Sequence, residues 1–390
     1  MLKNQSVAKK ITFFLVSFRA GGGERVMIEL ANGFLARGFT VDFVVIKPVG
    51  QYKDHVTQGV NLFVIDAGRI IFSLPKLINY LKKEKPDVIM AVDEYTHLMT
   101  LIAKIISRSN VYVVLRIGNM YSVLYSAYKR FRDKIIPILA KILYKRANSV
   151  ICVSEGVAKD VLKLFNIPKE KVHTIGNPKN LLDIETKAKA GITHPWFVNK
   201  TVPIILATGR LRFQKNFPLL LSAFADVIKK IPCRLVILGA GRDEKELEKI
   251  ITDLNLSENV LLTGYVDNPY SYMSKADIFI LSSRWEGMPN ALLEAMACGL
   301  PIISTDCDSG PREILAPSSD VFFRIKDGIE YAENGILVPS ESKVEIVNAT
   351  VALLKDSNLR IKYSRKSLTR IKDFDREHIL DEYAKAMKIK

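Results

Sequence analysis

Short runs of β-branched and aromatic residues alternate with amphipathic stretches of helical period along almost the whole chain, and this alternation admits few folds. A strand that must pass through a helix before the next strand cannot form a hairpin. It forms a right-handed crossover, and repeated crossovers form a parallel sheet covered by helices. In the first half the expected strands are Ile11–Ser17, Thr40–Ile46, Asn61–Ile65, Val88–Val92, Val111–Leu115, Ser149–Val153 and Lys171–Ile175, with helices such as Gly23–Arg37 and Ser73–Glu84 between them. In the second half they are Pro203–Thr208, Arg234–Leu238, Val260–Thr263, Ile278–Ser282, Pro301–Ser304 and Gly335–Val338.

The pattern lapses between Asn177 and Val202, where Asn-Pro, a charged stretch and Thr-His-Pro-Trp read as a connection between domains. A length of 390 residues also exceeds what one core usually supports. The expected organisation is α/β, with a doubly wound domain over residues 1–195 and a second over 196–370. A terminal helix over 371–390 carries an apolar stripe through Ile379, Tyr383 and Met387.

A formal charge of +16 calls for an anionic partner: nucleic acid, an anionic membrane or a phosphorylated substrate. No nucleic-acid module accompanies the charge, so no nucleic-acid partner is expected. Cys152, Cys233, Cys298 and Cys307 lack CxxC spacing, so neither a zinc site nor a disulfide framework is expected, and a reducing cytoplasm fits best. The N-terminal apolar run is too short for a signal peptide and no run reaches transmembrane length, which leaves a soluble or peripheral protein. The stretch Tyr112 to Arg146 interleaves Tyr121, Tyr125, Tyr128, Lys129, Arg130, Phe131, Arg132, Lys141, Tyr144, Lys145 and Arg146. Such a face can settle on an anionic membrane, or it can be a helix covering the sheet with snorkelling cations.

The densest chemical signal runs from Ser282 to Gly299, a strand end, a Gly-Pro turn and a helix closed by glycine. Pro289 suits the first helical position and Gly299 the left-handed position after the last turn. N–H groups near Met288 to Ala291 would then meet an anion such as a diphosphate at the carboxyl edge of the sheet. Glu286 and Glu294 flank that position, and carboxylates suit sugar and ribose hydroxyls. A second cluster, Thr208 to Asn216, sets Arg210 and Lys215 at another strand end, where both suit a diphosphate or form a solvated basic loop. Gly21, Gly22 and Gly23 open the first helix without GxGxxG spacing, and Leu238-Gly-Ala-Gly-Arg242 reads equally as a nucleotide loop or a helix cap.

Glu286 and Glu294 form an E-x7-E arrangement. Together with Gly-Arg-Leu-x3-Lys-Asn, Gly-Gly-Glu-Arg, Thr-Gly-Tyr-Val-Asp-Asn and Asn-Gly-Ile-Leu-Val-Pro, it resembles the family 4 glycosyltransferases. The resemblance implies a GT-B fold, with two Rossmann-like domains, acceptor-binding then nucleotide-sugar-binding, and a terminal helix returning to the first. It assigns Arg210 and Lys215 to the donor diphosphate and Glu294 to the ribose. Glu286, with the backbone of Gly287, Met288, Pro289 and Asn290, takes the transferred sugar. Gly22 and Gly23 would close over the diphosphate, and Val266 would meet the base. Many relatives carry a histidine after the fifth strand, where this chain reads Leu115-Arg-Ile-Gly-Asn-Met120, so His97, Arg116 and Asn119 become the candidates for the acceptor side, His97 reading first as a satisfied loop histidine.

The implied reaction is retaining transfer of a hexose or N-acetylhexosamine from a UDP-sugar, with no metal and no cofactor. The expected acceptor is a polyprenyl-diphosphate-linked or other cell-surface glycan precursor, in polysaccharide or lipopolysaccharide assembly, by a cytoplasmic enzyme peripheral on the inner face of the cell membrane. The rival readings are a UDP-sugar epimerase or other isomerase of similar fold, and a non-catalytic binder of anionic ligands.

Overall fold

The computed structural model describes residues 9–19, 21–126 and 135–389. The chain divides into two units, residues 1–178 with 376–390, and residues 179–375.

The first unit is built on a fully parallel seven-stranded sheet of β1 (Lys10–Leu15), β2 (Thr40–Val45), β3 (Asn61–Val64), β4 (Val88–Ala91), β5 (Tyr112–Ile117), β6 (Ser149–Cys152) and β7 (Val172–Thr174) in the order β3-β2-β1-β4-β5-β6-β7. The interior strands are apolar on both faces, as a sheet covered on both sides requires. Ile11, Phe13 and Leu15 share a core with helix Gly22–Ala36 and the terminal helix Arg376–Met387. Thr12 points the other way, where its hydroxyl meets Tyr80 of helix Leu74–Glu84 at 2.7 Å.

The terminal helix fits because Gly33 leaves room for it. A Cβ on Gly33 would lie 2.5 Å from Leu380 Cδ1. Arg37 adds ion pairs to Glu377 at 3.0 Å and Asp381 at 2.7 Å, and the stripe through Ile379, Tyr383 and Met387 is buried.

The second unit has β8 (Ile204–Thr208), β9 (Arg234–Leu238), β10 (Val260–Leu262), β11 (Ile278–Leu281), β12 (Ile302–Thr305), β13 (Glu330–Tyr331) and β14 (Ile336–Val338) in the order β10-β9-β8-β11-β12-β14-β13. All pairs are parallel except β13 with β14. Separate apolar cores cover its two faces, so both sheets are doubly wound.

Two boundaries differ from the sequence reading. The first unit ends at residue 178 rather than 195, because Ile184 and Phe197 in the presumed connection are buried in a core of the second sheet. The return begins at Arg376 rather than 371, because Ile371 and Phe374 belong to that same core. The antiparallel β13 was not expected, since two residues carry no readable alternation.

Candidate active site

In the second sheet the direction of winding reverses between β8 and β11, which pair directly. Loops leaving the carboxyl ends of two such strands frame the crevice where open α/β sheets bind ligands. Here they are 209–216 and 282–289, the two segments singled out in the sequence.

The structure joins these loops through Lys215 and Glu286. Lys215 closes a single 3-10 turn, Phe213–Lys215, and its Nζ donates to Glu286 Oε1 at 2.6 Å. Ser283 Oγ donates to the same oxygen, also at 2.6 Å. Ser282 Oγ donates to the Lys215 carbonyl at 2.8 Å, and Gln214 Nε2 to the Trp285 carbonyl at 2.8 Å.

The Glu286 turn rests on the loop after β12. Glu286 N–H donates to the Asp308 carbonyl at 3.2 Å, and Ser309 Oγ to the Gly287 carbonyl at 3.0 Å. Gly310 has φ +87°, and a Cβ there would lie 2.6 Å from the Gly287 oxygen and 2.7 Å from Pro289 Cδ. Glycine is therefore required by both conformation and space.

Helix Asn290–Ala297 begins one residue later than expected. Pro289 is its cap, and the ladder starts with the N–H groups of Leu292 and Leu293 donating to the Pro289 carbonyl. Gly299 has φ +74° and ends the helix as read from the sequence. Glu294 lies one turn inside and is buried. Its Oε1 accepts from Lys179 Nζ at 3.3 Å, and the same ammonium donates to Asn290 Oδ1 at 2.8 Å. Lys179 lies in the segment that the sequence presents as a connection, and its only sequence signal is a lone cation after Asn-Pro.

Arg210 is exposed, at the same strand end as Lys215. Its neighbour Arg212 is pushed below the usual guanidinium range, first by burial and then by the charges of Arg210 and Arg242, with Asp243 opposing them. Three arginines thus concentrate positive charge beside the Lys215–Glu286 pair's loop, and the Arg-Leu-Arg spacing was the available signal for the second of them. The glycines of Leu238-Gly-Ala-Gly-Arg242 have a packing role: Cβ atoms on Gly239 and Gly241 would lie 2.0 Å from the Gly209 oxygen and 2.2 Å from the Leu211 oxygen. Gly239 N–H also donates to the Gly264 carbonyl at 2.8 Å, which ties in the turn carrying Val266, itself half-buried against the core.

Asp306-Cys-Asp308 has the spacing of a metal-binding pair, but its geometry differs. Asp306 is buried against Arg312, with Nη2 to Oδ2 at 2.8 Å, and also accepts the Ile325 N–H at 2.8 Å, while Asp308 faces Arg324 at 3.4 Å.

In the first unit, Gly22 is the first residue of its helix, and a Cβ on Gly23 would lie 3.2 Å from Val92 Cγ2. The three acceptor-side candidates separate. Asn119 is exposed. Arg116 is 2% exposed and donates to Tyr383 Oη at 3.0 Å and to Asn177 Oδ1, so its guanidinium fastens the terminal helix and the end of the unit to β5. His97 is wholly buried, with Nε2 against the Ala91 carbonyl at 3.1 Å and Nδ1 against Tyr144 and Tyr121 hydroxyls at 3.0 and 3.2 Å. Both side chains are engaged by hydrogen bonds within the first unit.

Burial lowers His97 to about 3; the Arg116 charge adds to this, and backbone carbonyls oppose it. Below the usual histidine range the unfolded chain takes up a proton that the folded chain refuses, so His97 subtracts stability as pH falls from about 6.5 toward about 3. Asp93 acts oppositely: burial first, then Glu24, raises it to about 6, against its own Thr96 hydrogen bonds. The His97 contribution is isolated by comparing wild type with His97→Gln in thermal melts from pH 7 to pH 4. The gap between the two is expected to narrow on acidification, and a constant gap would refute the assignment.

Residues 20–181 match the profile described as Glycosyltransferase Family 4, and residues 192–370 match Glycosyl transferases group 1. The chain belongs to glycosyltransferase family 4. This family 4 glycosyltransferase is 29% identical over 382 residues to the N-acetylgalactosamine-N,N'-diacetylbacillosaminyl-diphospho-undecaprenol 4-alpha-N-acetylgalactosaminyltransferase of Campylobacter jejuni, an alignment covering 95% of this chain and 97% of that one. It is 25% identical to the lipopolysaccharide core biosynthesis glycosyltransferase LpsE of Rhizobium meliloti, over 96% of this chain and 97% of the relative. Among solved structures, Anabaena HepE in complex with UDP-glucose superposes with a TM-score of 0.77 at 18% identity, covering 97% of this chain and 99% of the other. The family 4 enzyme therefore has the GT-B fold expected from the sequence.

Proposed function

We propose that this glycosyltransferase moves a hexose or N-acetylhexosamine from a UDP-sugar, with retention and without a metal, to a polyprenyl-diphosphate-linked or other cell-surface glycan precursor at the inner face of the cell membrane. The observation that carries the reading is the pair of buried carboxylates, Glu286 and Glu294, each joined to a lysine, on a turn and helix beside the arginine-rich loop. Carboxylates that are buried yet cation-paired are suited to accept hydrogen bonds from the sugar and ribose hydroxyls. Arg210 and Lys215 supply positive charge for the departing diphosphate, which is the electrostatic part of the catalysis. The UDP-glucose complex of the Anabaena structure and the diphospho-undecaprenol acceptor in the Campylobacter enzyme's name support the choice of donor and acceptor.

The test is a screen of nucleotide sugars with membrane lipid extract, following free UDP and lipid-linked product by mass. A UDP-sugar is expected to give both signals together. UDP-sugar turnover without any acceptor would favour an isomerase, and no binding or turnover with any sugar nucleotide would end the proposal.

A further inference from the structure

The charge of the chain is very unevenly placed. Residues 1–178 with 376–390 hold 31 lysines and arginines against 16 aspartates and glutamates, a net +15, whereas residues 179–375 hold 26 against 25, a net +1. Within the first unit, the sixty residues from Tyr95 to Ser154 contain ten cations and one carboxylate, Asp133. The arginine cluster beside Lys215 lies in the nearly neutral unit, so donor binding does not account for this excess.

Helix Ile135–Leu143 occupies this stretch and is apolar on two faces. Ile136 and Ala140, followed by Tyr144, face inward. Ile135, Ile138, Leu139 and Ile142 are 45%, 60%, 37% and 53% exposed. The pairs 135/138 and 139/142 are three residues apart and 135/139 and 138/142 four, which places all of them on one helix face. A helix needs a single apolar stripe to pack on its own sheet, and the second has no partner among the described residues. Helix Glu94–Ser107 packs against it and ends in exposed Ile105 and Ile106. Lys141, Lys145, Arg146 and Arg108 are exposed on these same elements, whose one carboxylate, Glu94, is buried.

Among the described residues, the aromatic half of the interleaved pattern does not contribute. Tyr121 and Tyr144 are buried, and Tyr121 stacks on Tyr125 at 5.3 Å in a cluster with Phe165 and His97. Tyr128, Lys129, Arg130, Phe131 and Arg132 lie outside the described residues. The outward surface formed by the described residues is therefore aliphatic with a cationic fringe.

We infer that the outward face of helix Ile135–Leu143 is a docking surface for an anionic lipid bilayer, with the isoleucine and leucine side chains in the acyl boundary and Lys141, Lys145 and Arg146 at the headgroups. The combination selects lipid: a nucleic acid would use the cations and leave the aliphatic stripe in water, while a neutral partner protein would use the stripe and not the cations. The helix is nine residues long, and none among the described residues is long and apolar enough to cross a membrane, so the contact is interfacial. The inference deepens the proposed lipid-linked acceptor, since docking would bring such an acceptor and the enzyme to one surface.

Sedimentation with vesicles tests it and requires neither donor nor acceptor, so its failure and that of the transferase reading are separable. The full chain is expected to pellet with vesicles of phosphatidylcholine and phosphatidylglycerol, less with phosphatidylcholine alone and less at high salt. Ile138→Asp with Ile142→Asp, both at exposed positions, should keep the wild-type melting temperature and lose vesicle affinity by about tenfold or more. Lys141→Glu with Lys145→Glu should remove the preference for the anionic lipid. Wild-type protein that stays in the supernatant, or aspartate variants that pellet like wild type, would overturn the inference. So would aspartate variants whose only change is dissociation of a dimer on gel filtration, since the face would then bind a second copy.

Discussion

Lys215→Ala is expected to lower kcat by about 10²- to 10³-fold, equivalent to about 3–4 kcal/mol of lost transition-state stabilisation. The lysine is held in place at both ends. Its carbonyl is fixed by Ser282, and its ammonium lies 2.6 Å from Glu286, which is itself anchored by Ser283. An ammonium already oriented in the protein interior needs no reorganisation when charge develops on a departing diphosphate, and this is the condition under which a single cation contributes most. If its contribution is made mainly in the transition state, kcat should fall far more than donor affinity. Lys215→Arg, which keeps the charge but not its compact position, should recover only part of the loss. Glu294→Ala is the contrasting variant: the ribose contact proposed for it would serve ground state and transition state alike, so its loss should appear chiefly in KM for the donor. Wild-type activity in both alanine variants would remove the site assignment.

Legibility in the sequence followed the distance over which each feature is made. Strands and helices come from local periodicity, and every strand named from the sequence lies within two residues of its observed bounds, whereas the two-residue β13 and the start of the terminal helix were not readable. Glu286, Glu294, Arg210 and Lys215 stand out as candidates because each sits in a short contiguous motif at a strand end, and two of them, Lys215 and Glu286, pair in the structure. Their supports do not stand out. Lys179 reaches Glu294 from 115 residues away, Ser309 bonds Gly287 across 22, and nothing in an Asn-Pro-Lys stretch announces a partner on a distant helix. His97 and Arg116 show the limit of such reading. Their chemistry suited an acceptor site, but sequence does not say which way a polar side chain points, and both point into the core, where hydroxyl, amide and carbonyl groups engage them.

The largest stability loss is expected from Arg312→Met, because this buried guanidinium anchors Asp306, at the start of the loop on which the Glu286 turn rests. Arg312 is 1% exposed. Its Nη2 lies 2.8 Å from Asp306 and 2.7 Å from Glu330, and its Nη1 donates to Ser319 Oγ at 3.0 Å. Burial alone would lower the arginine's pKa, yet hydrogen bonds and charge from Glu330 and Asp306 outweigh it and raise it. The three partners lie on the loop after β12, on the segment that follows helix Pro311–Leu315 and on β13, so one side chain ties together the insertion between β12 and β14. Removing it leaves Asp306 buried without its cation, which costs about 3–5 kcal/mol. For a unit of this size that corresponds to a fall in Tm of roughly 6–20 °C. The double variant Asp306→Leu with Arg312→Met removes both charges and should melt higher than Arg312→Met alone, because the stranded carboxylate, not the lost attraction, accounts for most of the penalty. A double variant no more stable than the single one would show that the network matters through its geometry. The loop that Asp306 begins also supplies the Asp308 carbonyl and Ser309 hydroxyl beneath Glu286 and Gly287, so Arg312→Met should lower donor turnover even at temperatures where the protein remains folded.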